Sequence, residues 1–328
     1  MNSIGRTAFF LIRFSCLLCL GLQPAAVWSQ GYPLKPVKLV VGYVGGGPTD
    51  LAARVLAEKL LPLWGHQILV EQRPGAGGNI GTAYVAKSAP DGYTLNLATA
   101  SHVYNGALFG SLPYDPMKDF APISMVVSYA AILMVNQSVA ANNLRELVAY
   151  AKSNPGKLNF GSASSGTLSH FAAEFFRRAA GINIVIVHYN GAAPAAQALL
   201  AGDLQVMFNN PVSAIPLLKS GKVRALATTG LKRSPTAPDL PTIAESGYPG
   251  FKTDTWFAVL GPAGMPQDLV NKISRDIGTV LNMPDVRQRL ETQGLEAVSS
   301  TAAQLGAIMQ ADHETYTTII RDAKIVAN

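Results

Sequence analysis

Two short stretches carry the residue types from which an anion site is built. The first is GYVGGGPTD, residues 42–50, and the second is GSASSGT, residues 161–167. In the first, Gly45, Gly46 and Gly47 leave the main chain bare beyond Cα, so a ligand can come close to the peptide N–H groups. Pro48 suits a first helical position, and Thr49 and Asp50 can accept from neighbouring amides. In the second, Ser162, Ser164, Ser165 and Thr167 set short donors around Gly166. Apolar residues at helical spacing follow each stretch: Leu51, Val55, Leu56 and Leu60 in one, Leu168, Phe171, Phe175 and Phe176 in the other. A helix entered this way offers unbonded N–H groups and about half a positive charge, which favours an anion. The chemistry implied is capture of a small negative group, a carboxylate above all, in polar nests. The same hydroxyls could also cap their own helix.

Rival chemistries fit these residues less well. A dinucleotide fingerprint needs Gly-x-Gly-x-x-Gly, but counting from Gly45 the last position is Asp50, although Glu71 stands where a ribose-binding acid would. No Gly-Lys-Ser/Thr follows either loop, which removes a Walker phosphate loop. Gly-x-Ser-x-Gly is absent, so Ser165 with His170 does not make a hydrolase elbow. His170 and Glu174 lie four apart on one helix face, yet no third ligand is evident and no metal is expected. No cofactor is called for. Ser101 and His102, in TASHVYN after an apolar strand, are cleft candidates. So are Tyr189, Asn190, Gly191 and Asn209, at the ends of two further strands. Arg73 with Pro74 can be read as fixing a turn, and Trp256 as packing where the chain crosses back between domains.

The elements that must position these residues occur twice. KLVV, QILVEQ and YTLNLAT alternate with two helical patterns in residues 38–99. KLNF, IVIVH and LQVMFNN alternate with two more in residues 157–210. Both series read as βαβαβ with near-continuous apolar strands, as mainly parallel sheets require. Ligands of such sheets bind beyond the carboxyl ends of the strands, where both glycine loops fall. Between the units, the proline-rich GSLPYDPMKDFAPISMVV, residues 110–127, is expected to be irregular. A strand at 131–136, a helix at 143–153 and a strand at 223–230 are also expected. The helical tail is expected to return to the first domain. The predicted division is a signal peptide at 1–29, one domain from 30–126 plus 252–328, and a second from 127–251.

Length and composition agree with that plan. The chain has 328 residues, 48% of them hydrophobic and only 14% charged, enough for two ordinary cores and too apolar for disorder. Arg6 and Arg13 flank a short apolar run followed by AAVWSQ, the form of a secretory signal peptide cut near Ser29. Both cysteines, Cys16 and Cys19, lie inside it, so the mature chain has no thiol for disulfide, metal or catalysis. Loss of the two arginines takes the formal charge from +6 to +4. That charge is spread without a basic run, so nucleic acid is not an expected partner. No later stretch is long and apolar enough to span a membrane.

The sequence resembles the Bug-type solute receptors of tripartite tricarboxylate transporters. The resemblance covers essentially the whole mature chain, through GGPTD, RPGAGGNIG, APDGYTL, LPYDPMKDFAPIS, NPGKLNFGS, GKVRALATTG, LPTIAESGYPGF and TWFAVLGPAGMP. It implies a periplasmic, type II binding-protein clamshell of two α/β domains that holds a small organic acid and performs no catalysis. Bridging waters and main-chain amides of two facing loops would grip the carboxylate. Membrane transporter subunits or a sensor kinase would be the partners of a monomeric receptor. Three places depart from the family pattern: GYVGG, with Tyr43 and Val44; VEQRP; and HYNG, where the family has Pro-Tyr-Lys-Gly and His188 and Asn190 stand in place of the proline and the lysine. The ligand-lining set expected is Tyr43, Val44, Gly46, Gly47, Asp50, Ser101, His102, Ser162, Ser164, Ser165, Gly166, Thr167, Tyr189, Asn190, Gly191 and Asn209. An exported α/β hydrolase and a regulatory effector domain are the alternatives.

Overall fold

The computed structural model describes residues 31–234, 236–323 and Ile325. The expected signal peptide lies outside the described residues. The chain runs β1 (Val37–Val41), α1 (Pro48–Trp64), β2 (Ile68–Gln72), α2 (Asn79–Ala86), β3 (Thr94–Thr99) and α3 (Ser101–Phe109). β4 (Phe120–Ala130), β5 (Ile132–Asn136) and α4 (Leu144–Ser153) follow. Then come β6 (Asn159–Ser162), α5 (Leu168–Ala180), β7 (Val185–His188), α6 (Ala192–Ala201), β8 (Val206–Asn209), α7 (Pro211–Lys219) and β9 (Val223–Thr228). The chain closes with β10 (Asp254–Pro262), α8 (Gln267–Leu281), α9 (Pro284–Glu291), β11 (Glu296–Ala297) and α10 (Ala302–Ala323).

These strands form two sheets, ordered β11-β4-β10-β3-β1-β2 and β7-β6-β8-β5-β9. The repeat seen in sequence is real in three dimensions. In each sheet the first strand of the unit, β1 or β6, lies between the second and the third, and both neighbours are parallel. In each sheet an antiparallel strand then flanks the third: β10 beside β3, and β5 beside β8. The sheets are therefore mixed. The helical crossovers enforce parallel pairing within each βαβαβ unit, while strands that pass between the sheets enter from the opposite end.

Residues 120–127 belong to β4 rather than to an irregular linker. β4 pairs antiparallel with β10 along Phe120–Ala130. Pro122 is tolerated because the other neighbour, β11, meets β4 only at Val127 and Ser128, leaving Pro122 at an edge position where a missing N–H breaks no ladder.

Val37, Val40 and Val41 on β1, and Phe160 and Phe208 on β6 and β8, are fully enclosed. Burial of each such side chain contributes about 1.5–3 kcal/mol. The tail packs on the first sheet: Leu305, Met309 and Ile320 of α10 share a core with Tyr104, Leu108 and Leu260. Rings also join the two halves, since Tyr104 on α3 meets Phe171 on α5 at 4.8 Å and Tyr316 on α10 at 4.8 Å.

The chain passes between the sheets through Ala131 and through residues 229–253. Thr229, wholly buried, knits the two passages together. Its N–H donates to Ala131 O at 3.0 Å, its hydroxyl accepts from Ala131 N at 2.8 Å, and that hydroxyl donates to Thr253 O.

Candidate anion-binding cleft

A cleft of about 650 Å³ lies between the carboxyl ends of the two sets of parallel strands. The first sheet contributes Tyr43–Thr49 after β1, Pro74–Gly78 after β2, and Thr99, Ser101 and Tyr104 around the start of α3. The second contributes Ala163, Ser164 and Gly166–Ser169 after β6, Asn190–Pro194 after β7, and Phe208–Asn210 with Ser213 after β8. Tyr129 of β4, Thr255 and Phe257 of β10, and Ala131 between the sheets complete the lining. Among the described residues, no Asp, Glu, Lys, Arg or His side chain lines it.

Helix starts converge there. α1, α2, α5 and α6 begin at Gly47, Gly78, Thr167 and Gly191, and none of these residues caps its helix with a side-chain hydrogen bond. The first-turn N–H groups of α1, α5 and α6 are thus left for a ligand, whereas Asn79 N at the start of α2 donates to Ala76 O. At the cleft α7, by contrast, caps itself, Asn210 Oδ1 accepting from Ser213 N at 2.9 Å. Glycine is required where these loops meet. A Cβ on Gly42 would stand 2.7 Å from Gly78 Cα, so β1 can reach the turn after β2 only without one. That turn, Gly75–Gly78, is left-handed throughout, and Ala76 (φ 48°) is the one non-glycine residue at positive φ among the described residues, a conformation that costs roughly 1–2 kcal/mol for an L-residue.

Three hydroxyls sit together on the first wall. Tyr43 donates to Gly77 O at 3.1 Å, and its oxygen lies 3.1 Å from both Thr99 Oγ1 and Ser101 Oγ, which are 2.8 Å from each other. With the Tyr43 proton committed to the carbonyl, Thr99 and Ser101 hold two protons for three mutual contacts. One of the two protons can therefore turn to a ligand without leaving its partner unbonded.

On the second wall Asn209 is the clearest donor. It is 1% exposed. Its Oδ1 accepts from Asn210 N at 2.9 Å, which fixes the amide orientation, and its Nδ2 has no partner. A buried N–H without an acceptor costs about 1–3 kcal/mol, so an incoming oxygen atom would be well received. Gly166 N donates to His170 Nδ1 at 3.1 Å. The imidazole is therefore neutral, with its proton on Nε2, as its pKa of about 4 requires; burial is the main cause, and the charges of His188 and Arg177 add to it. Across the cleft, Tyr104 donates to Gly166 O at 3.4 Å.

Of the sequence-predicted residues, Tyr43, Val44, Gly46, Gly47, Ser101, Ser164, Gly166, Thr167, Asn190, Gly191 and Asn209 come together on the cleft. Five do not. Asp50 points back into its own loop, accepting from Gly46 N at 3.2 Å, Arg54 Nε at 2.9 Å and Gln72 Nε2 at 3.0 Å. Burial opposes its ionisation, but these bonds prevail and hold its carboxyl below the usual range. His102 turns into the core, with Nε2 on Pro116 O at 2.8 Å and Phe120 against its ring, and burial lowers its pKa to about 4. Ser162 is the last residue of β6, is fully enclosed and donates to Ser164 O at 2.8 Å. Ser165 is buried with its hydroxyl unpartnered, so no serine–histidine pair forms. Tyr189 packs on the core formed with Ile132 and Leu199.

The sequence reading missed the turn at Pro74–Gly78, Thr99, and the aromatic residues Tyr104, Tyr129, Phe208 and Phe257. The doubled glycines of RPGAGGNIG were a usable signal for the turn. Nothing local marked the aromatic residues, which reach the cleft through strand pairing and helix packing far along the chain.

The family described as tripartite tricarboxylate transporter family receptor matches residues 52–325. Protein BugT of Bordetella pertussis is 34% identical over 300 residues, covering 91% of this chain and 92% of that protein. The structure of R. palustris Rpa4515 with adipate superposes with a TM-score of 0.85 at 32% identity, covering 89% of this chain and 98% of that one. MatC from Rhodopseudomonas palustris with bound malate gives 0.80 at 30% identity, covering 88% and 100%.

Proposed function

The chain belongs to the tripartite tricarboxylate transporter receptor family, and on that premise we propose that it captures a small organic acid outside the cytoplasm and delivers it to the membrane subunits of such a transporter. Like its relatives it is a binding receptor and not an enzyme. The observation that carries the ligand reading is the cleft itself. The uncapped starts of α1, α5 and α6, a hydroxyl trio and a free Asn209 amide border one space with no charged side chain among the described residues. Neutral donors of this kind match carboxylate oxygens. A micromolar ligand needs about 8 kcal/mol. Each hydrogen bond to a charged group contributes about 1.5–3 kcal/mol, so four or five suffice. Adipate and malate in two similar structures support the same class.

The lobes that would close on it are 30–126 with 252–328, and 127–251; the chain crosses between their sheets at Ala131 and at residues 229–253, so residues 127–130 stay with the first sheet in β4. Closure would bring the second set of donors to a ligand already held by the first. A signal peptide at 1–29 would place the receptor in the periplasm, and no helix among the described residues is long and apolar enough to cross a membrane. A monomer suffices for this role. The test is a thermal-shift screen of the folded protein against a carboxylate library. Stabilisation by at least one small acid is expected; a melting temperature unmoved by any of them refutes the reading.

A further inference from the structure

α5 is shared between two cores. Ala172, Ala173 and Phe176 on one face pack in the core of the second sheet. Phe171, next to them in sequence, does not. It is 1% exposed and belongs to the core of the first sheet. Its ring stands nearly perpendicular to Tyr104 on α3 at 4.8 Å and to Tyr316 on α10 at 5.6 Å. Phe175, one turn on, lies nearly parallel to Tyr316 at 6.2 Å.

Both sides of this seat are held firmly. Tyr104 and Tyr316 meet at 4.8 Å. α10 is tied to the first sheet where Asp312 accepts from Trp256 Nε1 at 2.6 Å. Phe171 is carried by a helix whose other face is fixed in the second sheet's core. Tyr104 also lines the cleft, and its hydroxyl donates to Gly166 O just before α5.

We propose, resting on the receptor reading above, that Phe171 in its Tyr104–Tyr316 seat is a latch that holds the two lobes closed, and that the cleft opens only as this ring leaves the seat. Interiors are close-packed, so a ring carried by one lobe cannot keep its contacts with rings carried by the other while the lobes rotate. Unseating returns a buried aromatic side chain to water and gives up its edge-to-face partners. Tyr104 joins the latch to the cleft, because its ring borders both.

The experiment is small-angle scattering of the purified protein, with no acid added, beside Phe171→Ala, Tyr316→Ala and Phe176→Ala. Tyr316 is only half-buried, so Tyr316→Ala tests the seat even where Phe171→Ala fails to fold. Phe176 is the control: it is fully enclosed, and its ring partners Phe160, Phe208, Tyr248 and Phe251 all belong to the second lobe. The two seat variants are expected to shift the closed-to-open ratio about tenfold or more toward open, read as a larger radius of gyration. Phe176→Ala is expected to melt earlier and to scatter as the parent does. A folded seat variant that scatters as the parent does overturns the latch, and so does a Phe176→Ala protein that opens as far as the seat variants. Either failure leaves acid capture standing, since the thermal-shift screen tests that separately.

Discussion

Gly166→Ala should uncouple the two halves of the cleft, and its size can be worked out from the loop itself. Gly166 has φ 77°, and a Cβ placed on it would stand 2.5 Å from Leu108 Cδ2 and 3.2 Å from Asn105 Oδ1, both on α3 of the opposite sheet. Leu108 is 4% exposed and cannot swing away freely. Two costs therefore add: about 1–2 kcal/mol for an L-residue in the left-handed region, and about 1–3 kcal/mol for the overlap. Gly156 separates them. Its φ is 73° and a Cβ there meets nothing within 4 Å, so Gly156→Ala carries the backbone cost alone. The overlap in Gly166→Ala is relieved most simply by moving the second-sheet loop off α3, which opens the cleft. The overlap should then appear as weaker binding, about 5- to 150-fold for 1–3 kcal/mol. Denaturant melts, titration with a stabilising acid and small-angle scattering of both variants measure this. Gly156→Ala should lose stability and keep affinity; Gly166→Ala should lose both and scatter as a more open particle. Equal stability and equal affinity in the two variants would refute the cross-cleft contact.

Two further outcomes follow from the same geometry. Tyr43→Phe removes the proton that Gly77 O accepts and the oxygen that Thr99 and Ser101 share; ligand affinity should fall several-fold, for about 1 kcal/mol, with the melting transition still cooperative, and an unchanged dissociation constant argues against the hydroxyl trio as a binding element. Stability should also depend on pH through His102 and His170, whose folded pKa values of about 4 lie below the ordinary 6.5, chiefly because of burial. Between pH 4 and 6.5 the unfolded chain binds more protons than the folded one, so stability rises with pH; the contribution is complete above 6.5 and lost as pH falls toward 4. Each residue should supply on the order of 3 kcal/mol over that window, and His188, also lowered by burial, adds in the same direction. Urea melts that show no such slope contradict the neutral, buried state of these rings.

Part of the site was legible because its signals are local. Gly45–Gly47 and Gly166 could be read as close-approach positions from composition alone, and Leu51, Val55 and Leu56 fixed the helix that starts beside them. Direction within a loop was not legible. Asp50 and Ser162 have the right chemistry at the right place in sequence, yet each is turned inward by bonds to its own loop. Thr167 reads as a cap, but its hydroxyl goes to Ser164 O, leaving the amides of α5 uncapped. Such choices rest on contests between hydrogen-bond partners a few residues apart, which residue types alone do not settle.

The sequence by itself determined the repeated βαβαβ units, the glycine loops at their strand ends and the absence of thiol chemistry from the chain beyond residue 29, since apolar period, glycine and composition act over a few residues. Tertiary structure decided that β4 and β10 are antiparallel strands and that Tyr104, Tyr129, Phe208 and Phe257 meet beside the cleft. Those features depend on residues brought together across more than a hundred positions, as Phe257 is with Val127 and Thr99, and no local preference encodes which distant strand will supply the partner.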